Sequence, residues 1–438
     1  MLQARGIFKI FIATVIFSTT IDAKSVGITL SAYSEVQSCQ PSSDNAIKDF
    51  NIHSRQDQST TLNETSDVQH GICYYNTTEN SICLPHYEEW RNIHAAWHHP
   101  ESGGNVQQQL GQSIIGYLDN HSHSRERCDK SPETCDWCRV GGHVEHYLNR
   151  LMKKVESICS LFAINELIHT GSSAEKTNIF RASEFDHLAI LENFRQSRSD
   201  PNEITYTGND PAHVNVTGEW PINVSKLLGI FQKSIAEAVE LIHSDYLSAP
   251  TVILGKTGVT MYFFYHRKPP ADAMKISIDI AIGVQVVGNN ANSDVVLVPQ
   301  RPGSVGSQQW RLSYPTLERD MLLKADASVS RVYQLLKFLA ALHHSRDNLK
   351  REIPRKSSLT TYVLKTCLFR YMHLCYRPDE NTWLGQDALR HAFGVLGQFP
   401  LNSTEMTSFF NRDIVEFNIT AESKKAATEI ISKLDKMI

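Results

Sequence analysis

The chain has few of the features that would settle its class at once. The apolar run near its start, Ile10 to Phe17, is too short to read as a membrane span. Cations are not in excess: 43 Lys and Arg against 47 Asp and Glu give a formal net charge of −4. That excludes a polycation that binds nucleic acid through bulk charge, so any such site must be a local basic patch. No internal repeat is evident, which argues against a solenoid or propeller. Only three of the nine cysteines, Cys159, Cys367 and Cys375, lie beyond residue 140, each in an apolar stretch that reads as helix with a buried free thiol. Hydrophobic content of 41% and charged content of 21% are ordinary for a globular protein, and 438 residues suffice for two substantial cores.

The first 23 residues read as a signal peptide. Arg5 and Lys9 precede the apolar run, and small residues lead to Ala23. Residues 24–140 form a polar, cysteine-bearing region with Cys39, Cys73, Cys83, Cys128, Cys135 and Cys138. Six cysteines after a leader suggest disulfides. The Cys-x-x-Cys pair at 135 and 138, with Cys128, His143 and His146 nearby, admits zinc instead. Asn-x-Ser/Thr sequons occur at Asn63, Asn76, Asn120, Asn215, Asn223, Asn402 and Asn418. Leader and sequons together point to the secretory pathway or the exterior; a misassigned start would instead leave the protein cytoplasmic.

The richest stretch is 170–186. Thr170-Gly171-Ser172 is a turn after an apolar helical run, and twelve residues beyond Ser172 comes Glu184-Phe185-Asp186. On a strand, Glu184 and Asp186 project to one face and Phe185 to the other. Two carboxylates side by side repel unless a cation lies between them, and Mg²⁺ or Mn²⁺ with phosphate oxygens suits that pair. The Gly-Ser turn offers backbone N–H groups and hydroxyls to phosphates. A third acid, Asp279, sits in Lys275-Ile-Ser-Ile-Asp-Ile-Ala-Ile. There Ile276, Ile278, Ile280, Ile282, Val284 and Val286 alternate strictly, so Asp279 lies on the face opposite them. Each element alone is common: Glu-x-Asp on a strand edge, Gly-Ser in a turn, one Asp on a sheet face. Together they suit two-metal nucleotidyl transfer.

These motifs resemble cyclic GMP-AMP synthase and its animal relatives, the cGAS-like receptors of the Mab-twenty-one nucleotidyltransferase family, over roughly residues 141–420. Thr170-Gly171-Ser172 with Glu184-Phe185-Asp186 is similar to the family's nucleotide loop and metal pair. Lys275 to Ile280 is similar to the strand that bears its third acid, and Trp310-Arg311-Leu312-Ser313-Tyr314 resembles a nucleotide-contacting segment. The resemblance implies nucleotide-binding roles for Thr170, Gly171, Ser172, Arg311, Ser313, Glu318, Lys337, Thr361, Tyr362 and Lys365, with the ring of Tyr362 on a base. It implies an α+β, bilobal nucleotidyltransferase fold: a mixed-sheet lobe with a long spine helix in 141–300 and a helical lobe in 301–438. It further implies an innate immune sensor that makes a cyclic dinucleotide from ATP and GTP with Mg²⁺ or Mn²⁺. Residues 311–337 hold no Cys or His, so the zinc loop of the vertebrate enzyme cannot be built there. That favours double-stranded RNA over DNA as activator.

Arg150, Lys153 and Lys154 lie on the outer face of a helix marked by Val144, Leu148, Leu151, Val155, Ile158 and Phe162, which leads toward the Gly-Ser turn. With Arg346, Lys350, Arg351, Arg355 and Lys356 they offer either a phosphate-backbone surface or a solvated face and a basic loop. Val332, Leu335, Leu336, Leu339 and Leu342 form one stripe that puts Lys337 off the apolar face. The competing functional reading is a catalytically inactive, secreted or membrane-associated adaptor of the same superfamily. The leader and sequons favour it, and retention of all three acids opposes it.

Overall fold

A computed structural model describes residues 87–99, 104–123, 135–179, 184–200, 203–208, 224–255, 257–268, 271–286, 295–299, 310–348, 359–375, 386–411 and 415–438. The proposed leader, Cys39, Cys73, Cys83, Cys128, Lys350, Arg351 and the sequons at Asn63, Asn76, Asn215 and Asn223 lie outside these residues. The architecture is α+β: a mixed sheet with ten α-helices among the described residues.

The sheet is built from β1 (Ile164–Thr170), β2 (Glu184–Leu191), β5 (Thr251–Leu254), β6 (Gly258–Lys268), β7 (Ala271–Gln285), β8 (Val296–Pro299) and β9 (Trp310–Ser313). Its order is β1-β2-β7-β6-β5, with β8 bridging β7 to β9. Only the β2–β7 pair is parallel. The alternating Ile run explains why β7 is central: Ile276, Ile278, Ile280, Ile282 and Val284 are each at most 1% exposed. Each such side chain contributes about 1.5–3 kcal/mol on burial.

That face is covered by α3 (Asp136–Ile158) and α5 (Val224–Glu240). Val144, Leu148, Leu151 and Val155 of α3 and Phe231 and Ile235 of α5 join β7 in one hydrophobic cluster. The expected helix is present from Asp136, but it ends at Ile158, and strand β1 rather than the helix leads into the Gly171 turn. A short hairpin, β3 (Phe194–Gln196) with β4 (Ile204–Tyr206), borders this cluster.

A second, separate cluster is helical. It is made by α1 (Tyr87–His98), α2 (Gly104–His121), α6 (Pro315–Lys324), α7 (Ala327–Asn348), α8 (Thr361–Cys375), α9 (Gln386–Leu396) and α10 (Ala421–Met437). Thr420 caps α10, its Oγ1 accepting from Ser423 N at 3.1 Å. The strands β10 (Glu405–Thr407) and β11 (Val415–Asn418) pair beside it. Two features differ from the sequence reading. The helices of 87–121 belong to this C-terminal core: Trp90, Trp97 and Tyr117 pack with Phe338 and Leu342. And α7 is buried all round, because α1, α2, α6, α8, α9 and α10 all touch it. Lys337, placed by the stripe off the apolar face, is 5% exposed.

Cys159, Cys135 and Cys138 depart from the expectation, and Cys367 meets it. Cys159 is disulfide-bonded, not a free thiol. Cys135 and Cys138 carry no disulfide. Cys367 is a buried thiol whose pKa burial pushes up to about 12.

Candidate metal centre

The three acids converge. In the parallel register of β2 and β7, Asp186 lies opposite Asp279 and Glu184 opposite Ser277, so all three carboxylates emerge from one face of adjacent strands. One oxygen from each lies within 4.8 Å of the others. Phe185, between the two acids of β2, is 1% exposed in the sheet core, as the alternation requires.

Such a cluster is electrostatically unfavourable alone. Desolvation, then the charges of Glu184, Asp279 and Glu175, hold the Asp186 carboxyl well above the usual range, against a smaller opposing pull from Lys365. Asp279 is raised by burial, partly offset by a hydrogen bond from Thr260. Glu184, at the exposed rim, is raised by desolvation and then by Asp279, with Lys337 opposing. Asp279 Oδ1 is buried without a hydrogen-bond partner among the described residues. A divalent cation supplies what is missing, both the charge and the partner. The residues therefore fit a metal ion, without distinguishing Mg²⁺ from Mn²⁺.

The turn beside the acids is shaped by glycine. Thr170 pairs with Asp186, and the chain then enters α4 (Gly171–Ala174) through Gly171 at φ +69°. A Cβ there would stand 2.0 Å from Asp186 Oδ2, so only glycine lets the turn approach the carboxylate this closely. Ser172 follows directly, and Lys337 Nζ donates to Ser172 Oγ at 3.0 Å and to Thr177 Oγ1 at 3.2 Å. Nζ also lies 4.7 Å from the ring centroid of Tyr333. Burial lowers the Lys337 pKa to about 7, despite the nearby charges of Glu175, Glu184 and Asp186.

Arg311 and Ser313 lie on the acid side of the sheet. They pair with Val298 and Val296, which pack with Ile168, Leu188 and Ile190 on that face. Trp310 points the other way, into the sheet core.

Glu318, Lys365 and Tyr362 meet one another beside the Gly171 turn. Lys365, 7% exposed, forms ion pairs with Glu175 and Glu318, the latter at 3.0 Å. Burial would lower its pKa, but Glu175 and Glu318 outweigh that and hold it well above its ordinary value. Tyr362 OH donates to Glu318 Oε1 at 2.9 Å, and its ring tilts against Phe417 with centroids 5.1 Å apart. Thr361 lies at the exposed start of α8, its carbonyl accepting from Tyr333 OH at 2.9 Å. The buried amine of Lys365 and carboxylate of Glu318 thus answer each other rather than an open surface.

Two further groups were missed by sequence reasoning. His169 and His187 stack beneath the acids, their centroids 4.7 Å apart and their planes 7° from parallel. Burial drives both down, His169 to about 4 with Arg319 adding to the effect, and His187 to about 3 with His169 adding to it. Their opposite register, His169↔His187, was available only once the strands were paired. Glu175 was missed because a turn carries no periodicity.

On α3, Arg150 and Lys153 are exposed and Lys154 is half-buried; Arg150 donates to His243 O at 3.1 Å. Of the second basic run, Arg346 falls within α7, while Lys350, Arg351, Arg355 and Lys356 lie outside the described residues. Among the described residues no helix is long and apolar enough to cross a membrane. No protein-family model matches the chain, and no curated protein matches it.

Proposed function

We propose that the protein is a metal-dependent nucleotidyltransferase of bilobal design that joins two nucleoside triphosphates, ATP and GTP in the first instance, into a cyclic dinucleotide. One observation carries the reading: three carboxylates converge within 4.8 Å on adjacent strands beside a glycine turn that a side chain would block. The separate sheet and helical clusters, with the acids on the sheet and Lys337 reaching the adjacent Ser172 from the helical side, suit such a design.

Glu184, Asp186 and Asp279 would hold Mg²⁺ or Mn²⁺. When bound, the ion neutralises phosphate charge and makes a ribose hydroxyl easier to deprotonate. Ser172 and the turn amides would receive the triphosphate. Lys337 has a pKa of about 7 in the unliganded site, and an arriving polyanion would favour its charged form. Arg311 and Ser313 would approach the nucleotides from the far side of the same sheet face. As an innate immune sensor, the protein would respond to double-stranded RNA through the exposed cations of α3. That reading rests on Arg150 and Lys153 and on the lack of Cys and His in residues 311–337.

The test is incubation of purified full-length protein with labelled ATP, GTP, CTP and UTP, Mn²⁺, and either RNA or DNA. A cyclic dinucleotide from wild type, and none from the Glu184→Ala/Asp186→Ala variant, is the expected result. No product from any nucleotide pair with any activator would refute the enzyme and leave the inactive adaptor.

A further inference from the structure

The turn that presents Ser172 has almost no apolar support. None of the four residues of α4 is buried. What holds it is a continuous line of polar contacts running into the helical core. Lys337 bridges Ser172 Oγ and Thr177 Oγ1. Thr177 Oγ1 donates to Glu175 Oε2 at 3.4 Å. Glu175 Oε1 accepts from Lys365, which donates also to Glu318. The backbone closes the loop: Glu175 N donates to Gly171 O at 3.0 Å, and Thr177 N to Ser172 O at 2.9 Å.

Glu175 is the pivot of this line. It is 2% exposed, belongs to no hydrophobic cluster, and lies outside the acid triad. A carboxylate so deeply buried is costly unless paired, and its partner Lys365 lies 190 residues away on α8. Glu318 already supplies Lys365 with a counter-charge, so neutralising Lys365 does not by itself require a second acid.

We infer that Glu175 is a positioning residue: anchored on Lys365, it fixes the Gly171–Ser172 turn where the phosphate chain of a nucleoside triphosphate must sit. The inference rests on the nucleotidyltransferase reading, and it gives Glu175 and Lys365 a role in that site without direct contact to substrate. Glu175→Gln leaves the Lys365–Glu318 pair in place but weakens the anchor. The turn then occupies more positions, and Ser172 meets the phosphates less often.

A binding cycle on the full chain tests this. Inorganic tripolyphosphate with Mg²⁺ is titrated calorimetrically into wild type, Glu175→Gln, Ser172→Ala and the double variant. The probe has no base, so it reports the phosphate subsite alone. Glu175→Gln is expected to weaken binding roughly tenfold, the lower end of effects seen when an outer partner of a binding group is removed. Because Glu175 acts through the turn that carries Ser172, its effect should be much smaller in the Ser172→Ala background. An undiminished tenfold loss in the Ser172→Ala background would show a merely structural role and overturn the inference, as would wild-type affinity in Glu175→Gln. Should Glu175→Gln not fold, Glu175→Asp, which keeps the charge but draws it back from Lys365, runs the same cycle with the same criteria. If wild type binds no tripolyphosphate, the nucleotide reading itself fails and the inference with it; if wild type binds and the cycle is additive, the inference alone fails.

Discussion

Gly171→Ala adds one methyl group where the structure leaves no room for one. Gly171 has φ +69°, a left-handed conformation that costs an L-residue about 1–2 kcal/mol. The larger effect is steric. The new Cβ would lie 2.0 Å from Asp186 Oδ2, 2.8 Å from its Cγ and 3.0 Å from its Cβ. Ordinary contact needs the oxygen and the methyl to separate by roughly a further 1.4 Å. Either the turn recoils from the acids, taking Ser172 with it, or Asp186 rotates away from Asp279. Both spoil the site, and a misplacement of about 1 Å can cost about 10²-fold in rate. We expect Gly171→Ala to lose about 1–3 kcal/mol of stability, a modest change, yet at least about 10²-fold in cyclic dinucleotide synthesis. Mn²⁺ affinity, followed by electron paramagnetic resonance, should fall with it. Gly142→Ala is the matched control. That glycine lies exposed within α3 with nothing within 4 Å of its would-be Cβ, and alanine there should be neutral or stabilise by up to about 1 kcal/mol. Wild-type Mn²⁺ affinity and turnover in Gly171→Ala would refute the argument that this close approach shapes the metal centre.

Further tests address the charges. Glu184→Ala/Asp186→Ala should abolish nucleotide joining, by about 10²–10³-fold or more, while thermal unfolding shows the fold intact, since like-charge repulsion is relieved. Lys337 gives a pH signature: its folded pKa is lowered to about 7, whereas in the unfolded chain it stays near 10.5. The unfolded state thus binds more protons across that window, so this residue makes stability rise with pH from about 7 to about 10. In denaturant titrations at pH 7 and pH 9.5, Lys337→Met should gain less on going up in pH than wild type; an equal gain would contradict the assignment. Lys153→Glu/Lys154→Glu should remove stimulation by double-stranded RNA and spare basal Mn²⁺-dependent synthesis. A normal RNA response would leave that helix face merely solvated.

The sequence made the acidic cluster legible because each acid sits in a strand whose alternation announces its face. Ile276 to Val284 define the buried side of β7, so Asp279 had to lie on the other, and Phe185 did the same for Glu184 and Asp186. The strand pairing that brings them together was not contained in that pattern. It came with the parallel register of β2 and β7, which sets Asp186 opposite Asp279. The helical core was less legible. Periodicity identifies an apolar stripe but not what covers it, so Trp90, Trp97 and Tyr117 gave no sign that they pack on α7 more than 200 residues later. For α7 itself a stripe was the wrong expectation, since a helix surrounded on all sides buries its polar residues too, Lys337 and Gln334 among them.

Those buried polar residues bear on how the two cores meet. An apolar seam would be the simpler way to join them, because a buried ion pair commonly adds little stability over well-packed hydrophobic residues of the same volume. Between the Gly171 turn and the helices the chain instead places Glu175, Lys365, Glu318 and Tyr362 in contact, with Lys337 joined to Glu175 through Thr177. Directional contacts of this kind fix geometry more narrowly than apolar packing does. They also place two cations within reach of the acids' field: Lys365 opposes the charges that raise Asp186, and Lys337 those that raise Glu184. A shift of the helical core that moved α7 and α8 would therefore alter both the position of Ser172 and the charge balance around Glu184, Asp186 and Asp279.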